Sequence, residues 1–223
     1  MRNRLLAEGL GTGLLLFVVV GSGIAAQDLA QDPGTRLFTH AVVVGLGLAA
    51  LIAMFQTISG SHFNPAVTLA FWRSGDLTTG EALRYVVTQL AGAVAGVIAA
   101  NLTFGVAVVS VSETVRTGVG LVTAEAIGTF VLVLAILLLV RTSRAGLVPG
   151  VVGAWVAAIV FSTSSTGFAN PAVTISRVFT DSYTGIAPGS VLAFVAAQLV
   201  AGVLAALIAP ALLSRPVSID TTN

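Results

Sequence analysis

The string Asn-Pro-Ala-Val-Thr occurs twice in this chain, beginning at Asn64 and at Asn170, each time in strongly apolar surroundings. Proline is favoured at the first position of a helix, where its missing N–H would have had no partner, and asparagine just before it is a good N-cap. Each string therefore predicts a helix start. In hydrocarbon, a helix that starts part-way across the bilayer is tolerated only where protein or a watery cavity satisfies its free backbone groups. Two such starts, Asn64-Pro65-Ala66 and Asn170-Pro171-Ala172, imply a pore or a binding site between them.

Composition makes the hydrocarbon setting necessary. The chain is 56% hydrophobic and only 9% charged, where an average soluble domain is about 25% charged. Membrane lipid is thus its expected surroundings. A net charge of +1 gives no electrostatic case for nucleic acid. The chain has no cysteine and only two histidines, His40 and His62, so disulfides, thiolate sites and a histidine-built metal centre are not expected, nor is any cofactor. Arg2 and Arg4 precede an apolar run that reaches about Ala26 without a clear cleavage site, so the run reads as a retained span rather than a secretion signal.

Apolar stretches of roughly 20 residues, the length that crosses a bilayer, fall near Leu5 to Ala26, Phe38 to Ile58, Leu83 to Phe104, Val122 to Val140, Val148 to Ser162 and Pro188 to Leu213. The Asn-Pro-Ala segments lie between the second and third and between the fifth and sixth. Each is too short to cross alone, ending near Gly75 and Asp181. The expected fold is an all-α membrane protein with six transmembrane helices and two half-helices. It is read as one channel domain over residues 1–223, with repeat one at 1–110 and repeat two at 118–215.

The repeats share residues in order. Ala7-Glu8-Gly9-Leu10-Gly11-Thr12 matches Ala124-Glu125-Ala126-Ile127-Gly128-Thr129, and Gln89-Leu90 matches Gln198-Leu199. Three spans per repeat is an odd number, so the second repeat enters the membrane inverted, and inverted repeats place their site near the midplane where broken helices meet. If both termini are cytoplasmic, the inner segments carry Arg2, Arg4, Arg73, Arg84, Arg141, Arg144 and Arg215, and the outer ones Arg36, Arg116 and Arg177. That asymmetry satisfies the positive-inside rule.

Six spans, an inverted repeat, and half-helices of which the first lies within Ser59-Gly60-Ser61-His62-Phe63-Asn64-Pro65-Ala66-Val67-Thr68 resemble the aquaporin and aquaglyceroporin family over nearly the whole chain, from Glu8 to about Pro210. The resemblance implies a passive channel for small neutral solutes in a homotetramer with one pore per subunit, in a bacterial-type inner membrane. Physics supports such a lumen. Two half-helices facing each other aim positive dipole ends, each worth about half an elementary charge, at one point, which disfavours cations. Side-chain amides of Asn64 and Asn170 in that lumen would orient water or hydroxyl solutes and interrupt a proton-conducting chain. The alternative is that they are helix caps only.

Glu8 and Glu125 are ionisable groups inside spans, which are costly and usually partnered. One reading is a proton relay. The other, which the resemblance implies and the matched repeat positions favour, is that each accepts backbone hydrogen bonds from the loop leading to a half-helix. Gln89 and Gln198 are expected to brace the same loops. His62, with no cysteine or histidine near it in sequence, is expected to be a structural or pore-side hydrogen-bonding residue rather than a metal ligand. Gly92 with Gly96, and Gly45 with Gly47, are expected to serve close helix packing.

The chain departs from the resemblance at one telling position. Water and glycerol channels of that family typically carry arginine directly after the second Asn-Pro-Ala, and here that residue is Val173. The other constriction positions carried over by spacing are Val44, Ala158 or Ile159, and Gly167 or Phe168. The inferred filter is apolar and wide. Arg177, one turn beyond Val173, either reaches back as a partial substitute or faces the interface, as arginines near helix ends commonly do. Relatives with this second motif include channels proposed to carry arsenous acid or methylated arsenicals, so these join water and glycerol-like polyols as expected solutes. A proton-coupled secondary transporter using the intramembrane glutamates is the alternative. An intramembrane enzyme has no nucleophile, metal or acid–base cluster to work with.

Overall fold

Helix boundaries in the computed structural model, which describes residues 1–213, follow the punctuation in the sequence. Helix α1 runs Arg2–Leu29 and α2 runs Pro33–Ser59, the latter opened by Asp32, whose carboxylate accepts from the Thr35 N–H at 2.6 Å, and by proline in the first turn. Half-helix α3 (Pro65–Arg73) is followed by α4 (Thr79–Thr103), which begins with a reciprocal capping box between Thr78 and Glu81. The second half comprises α5 (Val119–Arg141), α6 (Val148–Ser162), half-helix α7 (Pro171–Ser176) and α8 (Pro188–Leu213). A 3-10 turn at Ala145–Leu147 lengthens α6, and another at Arg177–Phe179 continues α7. Among the described residues six helices are long and apolar enough to cross a membrane, and they are the six expected spans. Arg215 and the expected end of the second repeat lie outside the described residues.

Small residues set how closely these helices cross. A Cβ on Gly96 would sit 2.0 Å from the Gly13 carbonyl oxygen, and one on Gly92 would sit 2.2 Å from that of Gly9. Helices α1 and α4 therefore touch backbone to backbone, and only glycine leaves the space. Gly45 and Gly153 do the same for α2 and α6, each added Cβ meeting the other's carbonyl at 2.5 Å. Gly47 packs on Val18 of α1. These glycines thus serve contacts within one chain.

Leu6, Leu10, Leu14, Leu46, Met54, Val87, Leu192 and Val200 are exposed on the outer helix faces. Apolar surface of that extent suits lipid, not water. The interior holds Tyr85, Phe63, Phe194 and, less usually, Glu8, Gln89, Glu125 and Gln198, all fully buried. Those four polar side chains surround the point where α3 and α7 begin.

Candidate functional site

The two half-helices start face to face at the centre of the molecule. Asn64 caps α3 through its side-chain oxygen, which accepts from Ala66 N–H at 2.8 Å, and Asn170 caps α7 by accepting from Ala172 N–H at 2.9 Å and more loosely from Val173 N–H at 3.4 Å. Their amide nitrogens reach across. Asn64 Nδ2 donates to the Ala169 carbonyl and Asn170 Nδ2 to the Phe63 carbonyl, both at 2.8 Å. Each amide has two N–H groups, and both asparagines also line the central lumen.

The carbonyls that receive these bonds belong to strained residues. Phe63 (φ 47°) and Ala169 (φ 47°) are in the left-handed region, which costs a residue with a Cβ roughly 1–2 kcal/mol. Buried carboxylates offset that cost. Glu8 accepts from the N–H groups of His62 (3.0 Å) and Phe63 (2.8 Å), from Ser59 Oγ (2.6 Å) and from Gln89 Nε2 (2.8 Å). Glu125 accepts from the N–H groups of Phe168 (2.9 Å) and Ala169 (2.8 Å) and from Gln198 Nε2 (2.6 Å). The glutamines also bind the half-helices, Gln89 to Thr68 at 3.0 Å and Gln198 to Thr174 at 2.9 Å. Loop, span and half-helix are thereby tied twice over in the same way.

The lumen wall is built from helix rows four residues apart. Helix α2 contributes His40, Val44, Leu48 and Ile52; α6 contributes Val148, Val152, Val156 and Val160; Leu15 with Val19 and Leu132 with Ile136 complete it from α1 and α5. Among the described residues, no aspartate or glutamate lines it. Val44, Val173, Gly167, Phe168 and His62 all reach the lumen. Gly167 has φ 54°, and a Cβ there would lie 2.6 Å from Ile159 Cγ1, so this turn admits only glycine. His62 bonds Thr68 Oγ1 at 3.1 Å and packs against Phe71 and Tyr85.

Ala158 departs from the expectation. It is exposed, because it lies two residues, about 200° of helix rotation, from Val156 on the lumen row. Ile159 is buried against Gly167 rather than in the lumen. Val156 and Val160 take the wall position instead. A four-residue period through α6 was the signal that would have found them.

Arg177 does not face the interface. Only 3% exposed, it lines the lumen, with its guanidinium carbon 3.5 Å from the centroid of the Phe168 ring and Nε donating to the Thr184 carbonyl. Arg116 lies 5.1 Å from the same centroid and donates to the carbonyls of Gly185 (2.9 Å) and Tyr183 (3.3 Å). Sequence reasoning did not single out Arg116 or the 183–185 turn that orients both cations.

Comparison with known proteins agrees with this architecture. The family model described as "Major intrinsic protein" matches residues 1–169. Aquaglyceroporin AqpS of Rhizobium meliloti is 42% identical over 205 residues, 92% of this chain and 88% of that protein. A glycerol uptake facilitator protein of Streptococcus pneumoniae is 33% identical over 190 residues, 77% of this chain and 80% of its own. The X-ray structure of the aquaglyceroporin from Plasmodium falciparum superposes with a TM-score of 0.76 at 19% identity, covering 93% of this chain and 94% of that one, a likeness of fold. With its paired half-helices, crossed asparagines and six spans in an inverted arrangement, this chain belongs to the major intrinsic protein family.

Proposed function

We propose that this chain is a passive channel whose lumen passes water and glycerol-like polyols, with arsenous acid or methylated arsenicals as further neutral members of the same class. The observation that carries this reading is the pair Asn64 and Asn170, capped, cross-bonded and lining one lumen whose remaining wall is mostly Val, Leu and Ile. Polar donors at a few points along an apolar tube suit a solute with hydroxyl oxygens and no charge. An ion would lose its hydration shell with little to replace it. The names of the glycerol-facilitator relatives support polyols as the substrate class.

Val44 and Val173 are the apolar walls of the proposed constriction, together with Gly167 and Phe168. A branched alkyl side chain at Val173 makes the filter wider than an arginine there would. The subunit is proposed to work in a homotetramer in a bacterial-type inner membrane, both termini cytoplasmic, an orientation supported by the arginine asymmetry.

The transporter reading loses its proton carriers. Glu8 accepts four hydrogen bonds and Glu125 three, all from fixed donors, and neither side chain lines the lumen. Stopped-flow permeation in proteoliposomes tests the proposal. A channel gives solute flux that follows its own gradient, ignores an imposed proton gradient and does not saturate over a wide concentration range. Flux driven uphill by a proton gradient would sink it.

A further inference from the structure

Arg177 is a buried cation that forms no salt bridge among the described residues. The ion pairs among the described residues are Arg4 with Glu81 and Arg141 with Asp76. Arg177 belongs to neither, and it is nevertheless the lumen's fixed guanidinium. One edge is fastened: Nε donates to the Thr184 carbonyl, and the guanidinium carbon lies over the Phe168 ring, 3.5 Å from its centroid, a cation–π contact strengthened by desolvation. Its backbone carbonyl accepts from Ile186 N–H at 3.4 Å, closing the turn against the start of the 3-10 segment. The two terminal nitrogens form no hydrogen bond with the protein among the described residues. A guanidinium holds five N–H donors in a rigid plane and cannot be discharged in a protein, so four donors of a preorganised group remain for whatever occupies the lumen.

We infer that Arg177 is the specificity-determining cation of this pore: its free N–H groups receive the oxygens of neutral, oxygen-rich solutes, and its charge turns cations away. It does so from one turn beyond the residue directly after Asn170-Pro171-Ala172, where Val173 stands. One turn is about 5–6 Å along the axis. Val173 stands one turn nearer Asn170 than the cation does, and Val173 and Val44 place alkyl groups in the same lumen. A solute thus meets donors and an alkyl collar in one lumen. Arg116, 5.1 Å from the Phe168 centroid, adds a second positive charge near the same ring.

This inference rests on the channel reading, and one experiment separates the two. The parent chain, Arg177→Leu, Arg177→Gln and Arg177→Lys are reconstituted at matched assembled density, and glycerol flux and sodium leak are measured on the same vesicles. The Leu and Gln variants should leak sodium at least tenfold faster than the parent, and Lys, which returns the charge, should restore exclusion. Where Arg177→Leu does not assemble, Arg177→Gln, which keeps a donor for the Thr184 carbonyl, is read in its place. Assembled Leu or Gln variants that exclude sodium as well as the parent overturn the role given to Arg177 and leave the channel reading standing. Parent glycerol flux no faster than empty liposomes overturns the channel reading itself.

Discussion

Asn64 and Asn170 are each bonded to the turn that introduces the other, Asn64 to the Ala169 carbonyl and Asn170 to the Phe63 carbonyl, at 2.8 Å in both cases. The half-helices are thus locked across the midplane as well as capped. Asn64→Ala removes a cap and strands a buried carbonyl, and should lower stability by about 2–4 kcal/mol, the sum of ordinary cap and unpaired-acceptor costs. Asn64→Asp keeps the capping acceptor, loses the cross-bond and places a negative charge in the lumen. Denaturation in detergent and cation leak in liposomes check the pair: Ala should be the less stable of the two, Asp the leakier. Equal stability of Asn64→Ala and parent would show the lock to be dispensable.

Glu8 and Glu125 face donors only. Replacing either by glutamine turns an N–H₂ group toward backbone N–H groups and leaves at least one buried donor unpaired, a cost of about 1–3 kcal/mol per group. Assembled yield should fall for both, further for Glu8→Gln, because Glu8 holds four donors and Glu125 three. The protein that does assemble should show the parent's pH profile of flux. Full-yield variants that had lost a proton-dependent component would instead identify a relay.

Gly96 and Gly80 occupy one helix and predict opposite outcomes. A Cβ at Gly96 would lie 2.0 Å from a backbone oxygen, which cannot rotate away, whereas nothing lies within 4 Å of one at Gly80. Gly96→Ala should destabilise by about 1–3 kcal/mol, the usual range for overpacking. Gly80→Ala should be neutral or stabilise by up to about 1 kcal/mol through helix propensity. Thermal melts of the purified protein compare them directly.

Val173 lines the lumen one turn from Arg177. Val173→Arg adds a second guanidinium where the alkyl collar now lies, narrowing the passage and filling it with donors. The ratio of glycerol to water permeability should drop, water being the smaller solute and able to use the new donors. An unchanged ratio in a correctly assembled variant would move the constriction away from Val173.

The half-helices were legible because a proline and an asparagine act on their immediate neighbours, and the six spans because bilayer thickness translates directly into a count of apolar residues. The structural task of Glu8 and Glu125, and of Gln89 and Gln198, was legible through repetition, since a costly residue kept at matching places in both halves points to a shared role; that each glutamate bonds a glutamine came only with the structure. Side-chain direction was not legible to the same degree. A spacing of about twelve from Asn170 pointed to Ala158 or Ile159, and helix rotation turned Ala158 outward and Ile159 against Gly167 while bringing Val156 and Val160 in. A two-residue difference in register is enough, because each residue turns the helix by about 100°.

Local chemistry, acting over a few residues, is what the chain carried by itself: caps, spans, their inverted order and the need for a protected centre. Only the tertiary structure decided which groups meet there. The left-handed turns at Phe63 and Ala169 hold because carboxylates from distant helices accept their N–H groups. Arg177 points inward because the Phe168 face and the Thr184 carbonyl, brought together by the fold, bind the guanidinium away from the interface. Such placements depend on several weak contacts from separate segments acting at once, and no single stretch of sequence contains them.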